Sequence, residues 1–318
     1  MSGRPLKVGI QLPEVEREVR WPELLDMIRA IEDGGFDSIW LGEHLLYRWS
    51  DRPEPAGPWE AWTMLAAIAT TTTRVEFGPL VACTGFHNPA LLAKQASTID
   101  ELSGGRLILG LGAGWNETEF RAFGFPFDHR VDRFEEAFTI IRTLLRDGAI
   151  DFDGRYYQAR DCELRPRGPR PNGPPLLIGS NGPRMLRMTM PFADAWNSWY
   201  ADIDNAPAGV APLRAVVDDA CRDVGRDPAE IVKTRLGTLI VAPTEEEAMR
   251  RKTDWQREKA VDDASLGMRL TWGTPESIGE RVRPFLDAGL GGLIFNVPRG
   301  STPEDVQRAG RALRSAVG

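Results

Sequence analysis

The strongest constraint on the fold is an alternation of short apolar segments with helical segments along the whole chain. The apolar segments have the length of strands, and the segments between them mostly have the 3.6-residue period of amphipathic helices. This alternation predicts a parallel sheet with right-handed crossover connections. The eight predicted strands cover residues 6–12, 36–41, 75–82, 106–111, 176–179, 193–198, 231–241 and 292–297.

Eight strand–helix units without a strong internal break favour a closed (β/α)8 barrel, a TIM barrel, over a doubly wound sheet. The length of 318 residues would suit two domains of roughly 150 residues, but barrels of ~250 residues or more form one domain. We therefore predict a single barrel domain over residues 1–318. The alternation of strand and helix segments is lost around residues 115–175 and 255–273, which we interpret as insertions. Residues 151–157 resemble one arm of a β-hairpin.

Charge and cysteine content exclude several classes of protein. The formal net charge is −7 and the isoelectric point is about 5.3, which argues against a nucleic-acid-binding surface. The three cysteines form no Cys-x-x-Cys pair, so we expect neither a zinc ribbon nor a disulfide scaffold. The spacing of His, Asp and Glu suits no metal site. Without an apolar signal core or a run of ~18 apolar residues, we expect a soluble, cytoplasmic protein.

Candidate site residues follow from the barrel rule that active sites lie at the carboxyl ends of the strands. Gln11 ends the first predicted strand, Glu43 and His44 follow the second, and Cys83 and Thr84 follow the third. We single out His44 as the candidate catalytic residue, because an imidazole can donate a hydrogen bond or move a proton near neutral pH. An ordinary loop histidine is the alternative.

Two glycine-rich segments also follow predicted strands. Gly112, Ala113 and Gly114 are followed by Trp115, where a dinucleotide-binding helix would need glycine. Small residues here would let a planar group lie close to the strand end, although a simple turn has the same composition. The second segment opens a helix, where backbone N–H groups can hold a phosphate; a plain capped junction is the alternative. Its residues are Gly179, Ser180, Asn181, Gly182 and Pro183.

Several segments, taken together, are specific for one superfamily. Their order and spacing match it across nearly the whole chain, although each segment is weak alone. They are residues 36–44 (FDSIWLGEH), 88–95 (NPALLAKQ), 102–106 (LSGGR), 112–115 (GAGW), 133–136 (RFEE), 152–157 (FDGRYY), 178–183 (IGSNGP) and 193–197 (ADAWN). The chain resembles the luciferase-like flavin and deazaflavin oxidoreductases, which include bacterial luciferase relatives, alkanesulfonate-type monooxygenases and coenzyme F420-dependent oxidoreductases.

The resemblance implies a bacterial-luciferase-like TIM barrel that binds FMN or coenzyme F420 at the carboxyl ends of its strands. Matching positions imply that His44 lies over the isoalloxazine or the substrate, and that the step from Leu80 to Val81 is a non-prolyl cis peptide. The residues expected to bind the cofactor are Gln11, Glu43, Val81, Cys83, Thr84, Gly112, Ala113, Gly114 and the phosphate-loop residues Gly179, Ser180, Asn181, Gly182 and Pro183. Some F420-dependent sugar dehydrogenases carry a catalytic glutamate where Trp115 stands, which argues against that activity.

Three functions are compatible with the resemblance. We favour an F420-dependent oxidoreductase that moves a hydride to or from a small organic substrate. Arginine outnumbers lysine here, which is typical of GC-rich genomes such as those of actinobacteria, where F420 is common. The second function is an FMN-dependent monooxygenase, in which reduced flavin activates oxygen. The third is a non-catalytic flavin-binding barrel, which the presence of all eight strands and His44 disfavours.

The F420 hypothesis also predicts positive charge near the phosphate loop. The tail of F420 is a γ-linked glutamate chain, and arginine binds carboxylates through two parallel hydrogen bonds. The candidate arginines are Arg165, Arg167, Arg170, Arg184 and Arg187. Beyond a small-molecule substrate, we expect no nucleic-acid or membrane partner, and we expect a homodimer.

Overall fold

A computed structural model describes residues 6–49, 54–203, 205–260, 262 and 270–317. The described strands are β1 (Val8–Gln11), β2 (Ser38–Leu41), β3 (Glu76–Pro79), β4 (Ala82–Cys83), β5 (Leu109–Gly112), β6 (Ala149–Asp153), β7 (Gln158–Glu163), β8 (Leu176–Ile178), β9 (Ala195–Trp199), β10 (Val232–Val241), β11 (Leu270–Gly273) and β12 (Gly292–Asn296). The described helices are α1 (Trp21–Asp33), α2 (Ala61–Thr71), α3 (Pro89–Leu102), α4 (Glu117–Phe123), α5 (Arg130–Asp147), α6 (Pro183–Thr189), α7 (Pro207–Asp223), α8 (Glu245–Lys259), α9 (Pro275–Asp287) and α10 (Pro303–Val317).

The predicted alternation of strands and helices is confirmed, with three differences. The third predicted strand is interrupted at the Leu80–Val81 peptide, which is cis, so it forms β3 and β4. Helix α4 lies in a segment read as irregular, because seven residues are too few to show a helical period. Strand β11 was not predicted, and most of the predicted insertion at 255–273 that follows α8 lies outside the described residues.

The chain divides into two compact units. The first comprises Met1–Trp40 and Ser180–Gly318, and the second comprises Leu41–Gly179. The assignment of residues 1–318 to a single domain stays a prediction.

In the first unit, parallel strands lie in the order β2, β1, β12, β10 and β9, and β11 pairs with the carboxyl-terminal half of β10. The register aligns the ends of β1 and β12 with the middle of β10: Gln11 of β1 lies opposite Asn296 of β12, which lies opposite Thr238 of β10. Helix α10 covers this sheet with a buried face that includes Val306 and Leu313. Polar side chains from three neighbouring strands therefore lie side by side at one level of the sheet.

In the second unit, β4, β5 and β8 are parallel neighbours, and β3 is bridged to the chain just before β5. Strands β6 and β7 form an antiparallel hairpin, which confirms the predicted hairpin arm. Helix α3 begins at Pro89 after Asn88, whose side chain caps it by accepting from the N–H groups of Ala90 and Leu91. Among the described residues of the whole chain, no helix combines the length and the apolar character needed to cross a bilayer.

Candidate active site

The candidate catalytic histidine is bound to a buried carboxylate in the second unit. His44 lies three residues beyond β2, and its Nδ1 atom is 2.9 Å from Oε1 of Glu119 on α4. Glu119 is 1% exposed, and its other carboxylate oxygen accepts hydrogen bonds from the backbone N–H groups of Leu45, at 2.9 Å, and Leu46, at 3.4 Å. The carboxylate thus holds both the imidazole and the loop that carries it.

Aromatic side chains surround the imidazole of His44. The ring centroids of Tyr47 and Trp115 lie 4.6 Å and 5.7 Å from it, and Trp115 approaches edge-on. Trp49 stacks on Tyr47 at 5.2 Å. The side chain of His44 keeps 17% of its surface exposed. The imidazole is therefore accessible but partly screened from water, in surroundings that suit a flat organic ligand.

The contact with Glu119 determines which tautomer of His44 is favoured. A carboxylate beside Nδ1 favours a proton on that nitrogen, and neutral imidazole then carries a lone pair on Nε2. The same carboxylate stabilises the imidazolium that forms when Nε2 takes up a proton. This arrangement is suited to general acid–base chemistry at Nε2.

Glu43, predicted to bind the cofactor, is bound on both carboxylate oxygens by protein groups. Oε1 accepts from the indole N–H of Trp62 at 2.8 Å and lies 2.7 Å from Nε2 of His87. Oε2 accepts from the backbone N–H of Cys83 at 2.6 Å. At 5% exposure, Glu43 joins the loop after β2 to α2, to β4 and to His87. Through these contacts Glu43 positions Trp62, Cys83 and His87 relative to one another within the unit.

Cys83 and Thr84 are buried where β4 ends. The thiol of Cys83 packs with Phe86 and Phe120; burial raises its pKa far above the ordinary value, and the nearby charge of Glu43 adds to the effect. Burial of this kind disfavours the thiolate, which is the reactive form of cysteine. The hydroxyl of Thr84 donates to the carbonyl oxygen of Gly112 at 3.3 Å, which ties the end of β4 to the end of β5.

The space beside the strand-end glycines is filled by protein side chains. A Cβ atom on Gly110, Gly112 or Gly179 would lie 3.1 Å, 2.7 Å or 2.9 Å from a methyl group of Val81. A Cβ atom on Gly114 would lie 2.4 Å from the sulfur of Cys83. These glycines therefore accommodate neighbours within the unit; the assignment of Gly112, Ala113 and Gly114 to the cofactor stays a prediction. Ala113, between them, is half-buried.

The predicted phosphate loop runs from the end of β8 to α6. Within the first unit, Ser180 Oγ accepts from the N–H of Gly182 at 3.3 Å, and the carbonyl oxygen of Ser180 accepts from the indole of Trp196 at 2.8 Å. No side chain caps the first turn of α6, which begins at Pro183. The buried Oδ1 atom of Asn181 has no hydrogen-bond partner in the part of the chain that the structure describes.

Two of the five candidate arginines have structural roles in the second unit. Arg167 donates to the carbonyl oxygens of Leu145, Arg146 and Pro171, so it caps the carboxyl end of α5. Arg170 forms an ion pair with Asp100, a carboxylate that is 1% exposed. Both guanidinium groups are thus bound by protein groups and do not face outward to bind an anion. This corrects the prediction that these two residues bind the glutamate tail of F420.

Arg165 also has a partner, Glu163, but 81% of its side chain is exposed. Arg184 and Arg187 lie on α6, immediately after the predicted phosphate loop, and both are exposed. These two remain the arginines best placed for an anionic tail. Among the described residues, no group of three or more His, Cys, Asp and Glu side chains could hold a metal ion.

Sequence interpretation missed Glu119 and the role of His87. Glu119 is 75 positions from His44 and lies within a predicted insertion, so no local pattern connects the two residues. His87 precedes the helix that begins at Pro89, but Asn88 caps that helix and His87 binds Glu43. The only available signal was that isolated glutamate residues occur in polar segments. Such residues are too common to show which side chain binds which.

Comparison with known proteins identifies the family of the chain. The sequence model of the luciferase-like monooxygenase family matches residues 7–261, so the chain belongs to this family. The chain is 27% identical to 5,10-methylenetetrahydromethanopterin reductase of Archaeoglobus fulgidus, over 97% of this chain and 98% of the relative. It is also 27% identical to F420-dependent glucose-6-phosphate dehydrogenase of Amycolatopsis mediterranei, over 92% and 93% of the two chains.

A solved structure confirms the predicted fold class. The structure of an F420-dependent secondary alcohol dehydrogenase in complex with an F420–acetone adduct matches with a TM-score of 0.83 at 19% identity, over 99% of this chain and 100% of that chain. At this identity the likeness concerns the fold, which is the (β/α)8 barrel of the luciferase-like class. The resemblance inferred from the sequence motifs is thus confirmed at the level of family and fold.

Proposed function

We propose that the protein is an F420-dependent oxidoreductase that transfers a hydride to or from a small organic substrate. Family membership supports an oxidoreductase, and a relative aligned over nine-tenths of the chain is an F420-dependent dehydrogenase. The observation that carries the proposal is the pairing of His44 with the buried Glu119, at 2.9 Å. A non-catalytic flavin-binding barrel, the third candidate, would have no need of an imidazole held in this way.

Polar atoms in the first unit fit a cofactor rich in hydrogen-bonding groups. Buried amide oxygens of Gln11, Asn181 and Asn296 have no hydrogen-bond partners among the described residues. Buried polar groups are nearly always paired, so these oxygens are suited to donors on a ligand. The uncapped first turn of α6 offers N–H groups for a phosphate. These features support Gln11 and residues 179–183 as cofactor-binding residues.

When bound, F420 supplies or accepts the hydride, and the protein handles the accompanying proton. Nε2 of His44 donates that proton to a substrate oxygen, or accepts it in the reverse direction. Glu119 holds the imidazole in one orientation and stabilises its protonated form. Tyr47 and Trp115 limit the access of water to the imidazole. Glu43 acts indirectly, because it positions β4 and α2 through Cys83 and Trp62.

The preference for F420 over FMN is tested by binding and by oxygen consumption. We expect F420 to bind more tightly than FMN, in part because Arg184 and Arg187 attract its glutamate tail, and the difference to narrow at high salt. Fluorescence titrations with each cofactor measure this difference. Turnover with reduced F420 should proceed without oxygen uptake in an oxygen electrode. Stoichiometric oxygen uptake with reduced FMN, without binding of F420, would overturn the proposal.

That result would support the second candidate, an FMN-dependent monooxygenase. The family model that matches the chain is described as luciferase-like monooxygenase, which is the observation that favours it. The residue roles proposed for His44 and Glu119 would then apply to proton handling in an oxygen-dependent reaction. We also propose a cytoplasmic homodimer; analytical ultracentrifugation of the purified protein tests the dimer.

A further inference from the structure

The first turn of α4 has the sequence spacing of a helix capping box but does not form one. Asn116 is the residue before α4, and Glu119 is the third residue of that helix. In a capping box these two side chains would bind each other's backbone N–H groups. Here the side chain of Asn116 makes no capping hydrogen bond, and both carboxylate oxygens of Glu119 bind the loop after β2. Both side chains are therefore turned away from their own helix.

Asn116 instead contacts the loop that carries His44. Its Nδ2 atom donates a hydrogen bond to the carbonyl oxygen of Leu46 at 3.0 Å, across 70 positions of the chain. Glu119 accepts hydrogen bonds from the backbone N–H groups of Leu45 and Leu46, at 2.9 Å and 3.4 Å. The two side chains of α4 thus bind backbone groups of both kinds in this loop, because one supplies a donor and the other supplies acceptors.

Helix α4 is held in place by aromatic packing within the second unit. Phe120 is fully buried, and its ring centroid lies 4.8 Å from that of Phe86 and 5.2 Å from that of Phe127. Asn116, at the start of the helix, is half-buried. The contacts with the loop therefore extend from a helix that is anchored in the core.

The use of an N-cap asparagine for a distant loop needs a physical reason. An N-cap side chain ordinarily satisfies one of the N–H groups that a helix leaves unpaired in its first turn. Helix α4 has only seven residues and forgoes this bond. The hydrogen-bonding capacity of its first turn is used to fix the backbone next to His44.

We propose that Asn116 is a positioning residue for His44. Its bond to Leu46, together with the bonds that Glu119 accepts, holds the loop after β2 so that Nδ1 of the imidazole stays against the carboxylate. Loss of the Asn116 bond releases the Leu46 carbonyl group and allows the loop to draw the imidazole away from Glu119. The importance of this geometry for proton transfer rests on the proposed function, whereas the positioning itself does not.

Hydrogen exchange of the full-length protein tests the contact with the loop. Asn116→Ser keeps a good N-cap residue but is too short to reach Leu46. Asn88→Ser is the matched control, because the Asn88 side chain caps α3 by accepting from two N–H groups of that helix. We expect the N–H groups of Leu45 and Leu46 to exchange about tenfold faster in Asn116→Ser, the effect of one lost hydrogen bond. Asn88→Ser should leave their exchange unchanged.

The nitrogen resonances of His44 provide a readout that helix capping alone would not change. The chain has three histidines, so 15N-histidine labelling gives three imidazole signals, and His44→Asn identifies the signal of His44. At a pH where this imidazole is neutral, we expect the wild type to show a single tautomer protonated at Nδ1. In Asn116→Ser both nitrogen resonances should move toward the average of exchanging tautomers, and in Asn88→Ser they should not move.

Either measurement can overturn the proposal. If the amide exchange or the imidazole resonances are unchanged in a folded Asn116→Ser variant, or if Asn88→Ser changes them equally, Asn116 does not position His44. Asn116→Asp is a second variant, should Asn116→Ser fail to fold: it keeps the shape and the cap but places an acceptor against the Leu46 carbonyl, so amide exchange in the loop should again be faster.

Cofactor binding is measured separately, by fluorescence titration with F420 and with FMN. The expected changes at His44 in a protein that binds neither cofactor would refute the proposed function but support the positioning role of Asn116. Tight binding of F420 with unchanged His44 resonances in Asn116→Ser would leave the proposed function standing and refute that role.

Discussion

The residue that most clearly joins structure to chemistry is Glu119, because its carboxylate is almost fully buried and still accepts three hydrogen bonds. The donors are the imidazole of His44 and the backbone N–H groups of Leu45 and Leu46. A buried carboxylate is costly unless it is well paired. The dyad is therefore part of the stability of the unit as well as of the proposed chemistry.

Because of this double role, we expect two substitutions of His44 to lower activity alike but to differ in their effect on stability. We expect His44→Ala to lower kcat by about 10²–10⁴ and the free energy of unfolding by about 1–3 kcal/mol, because Glu119 loses a donor. His44→Asn places an amide N–H near the position of Nδ1, so it should lose activity but keep most of the stability. Steady-state kinetics and urea unfolding measure the two effects. Equal stability of wild type and His44→Ala would contradict the role given to Glu119.

A second prediction at this scale concerns the thiol of Cys83. Burial and the neighbouring Glu43 carboxylate raise its pKa, and alkylation requires the thiolate. We expect iodoacetamide at pH 8 to label the half-buried Cys162 in the native protein and to leave Cys83 unmodified. In urea both should be labelled, as mass spectrometry of tryptic peptides can show. Rapid native labelling of Cys83 would mean that the end of β4 is open to solvent.

At the scale of elements, one side chain between β3 and β4 packs closely against glycines at the ends of β5 and β8. Val81 occupies the space that Cβ atoms on Gly112 and Gly179 would require, whereas a Cβ atom on Gly110 would meet the carbonyl oxygen of Pro79 at 2.1 Å before it met Val81. Backbone and side chain are therefore matched across three segments. A pattern of glycines in a sequence indicates that something approaches closely, but it does not identify what approaches.

The match predicts a compensating pair of substitutions. Gly112→Ala brings a Cβ atom to 2.7 Å from Cγ2 of Val81, and overpacking of this kind costs about 1–3 kcal/mol. In a Val81→Ala background the same change should cost less, because that methyl group is absent. Unfolding free energies of the four proteins in the double-mutant cycle measure the coupling. Additive effects of the two substitutions would exclude the contact.

At the scale of the whole molecule, cofactor binding should appear as added stability. A ligand at 100 times its Kd stabilises the folded state by about 2.7 kcal/mol, so F420 should raise Tm more than FMN at equal concentration. Gly182→Asp places a carboxylate beside the proposed phosphate site and should raise the Kd for F420 at least tenfold. A tenfold rise in Kd corresponds to a loss of about 1.4 kcal/mol of binding free energy.

Gly182→Asn is the matched control for this experiment, because it has nearly the same shape without the charge. The nearest atom to a Cβ on Gly182 is 3.7 Å away, so both side chains can be accommodated. Thermal unfolding with and without cofactor measures the effect. If F420 affinity is the same in Gly182→Asp and Gly182→Asn, the phosphate binds elsewhere.

The sequence by itself determined the alternation of strands and helices, because apolar period and helix caps act over a few residues. It also placed His44 and Thr84 after their strands, although Cys83, predicted to follow the third strand, is the last residue of β4. The family resemblance indicated the cis peptide at Leu80–Val81, which the structure confirms. Local patterns sufficed wherever the physical cause lies within one strand or helix.

Only the tertiary structure decided which groups meet. Glu119 reaches His44 across 75 positions and Glu43 reaches His87 across 44, and Arg170, predicted to bind a cofactor tail, instead pairs with Asp100 across 70. Each contact depends on packing between elements, and periodicity along the chain carries no information about such pairing. The physical reason is burial: a carboxylate acquires its partner only when folding removes it from water and leaves a specific donor within reach.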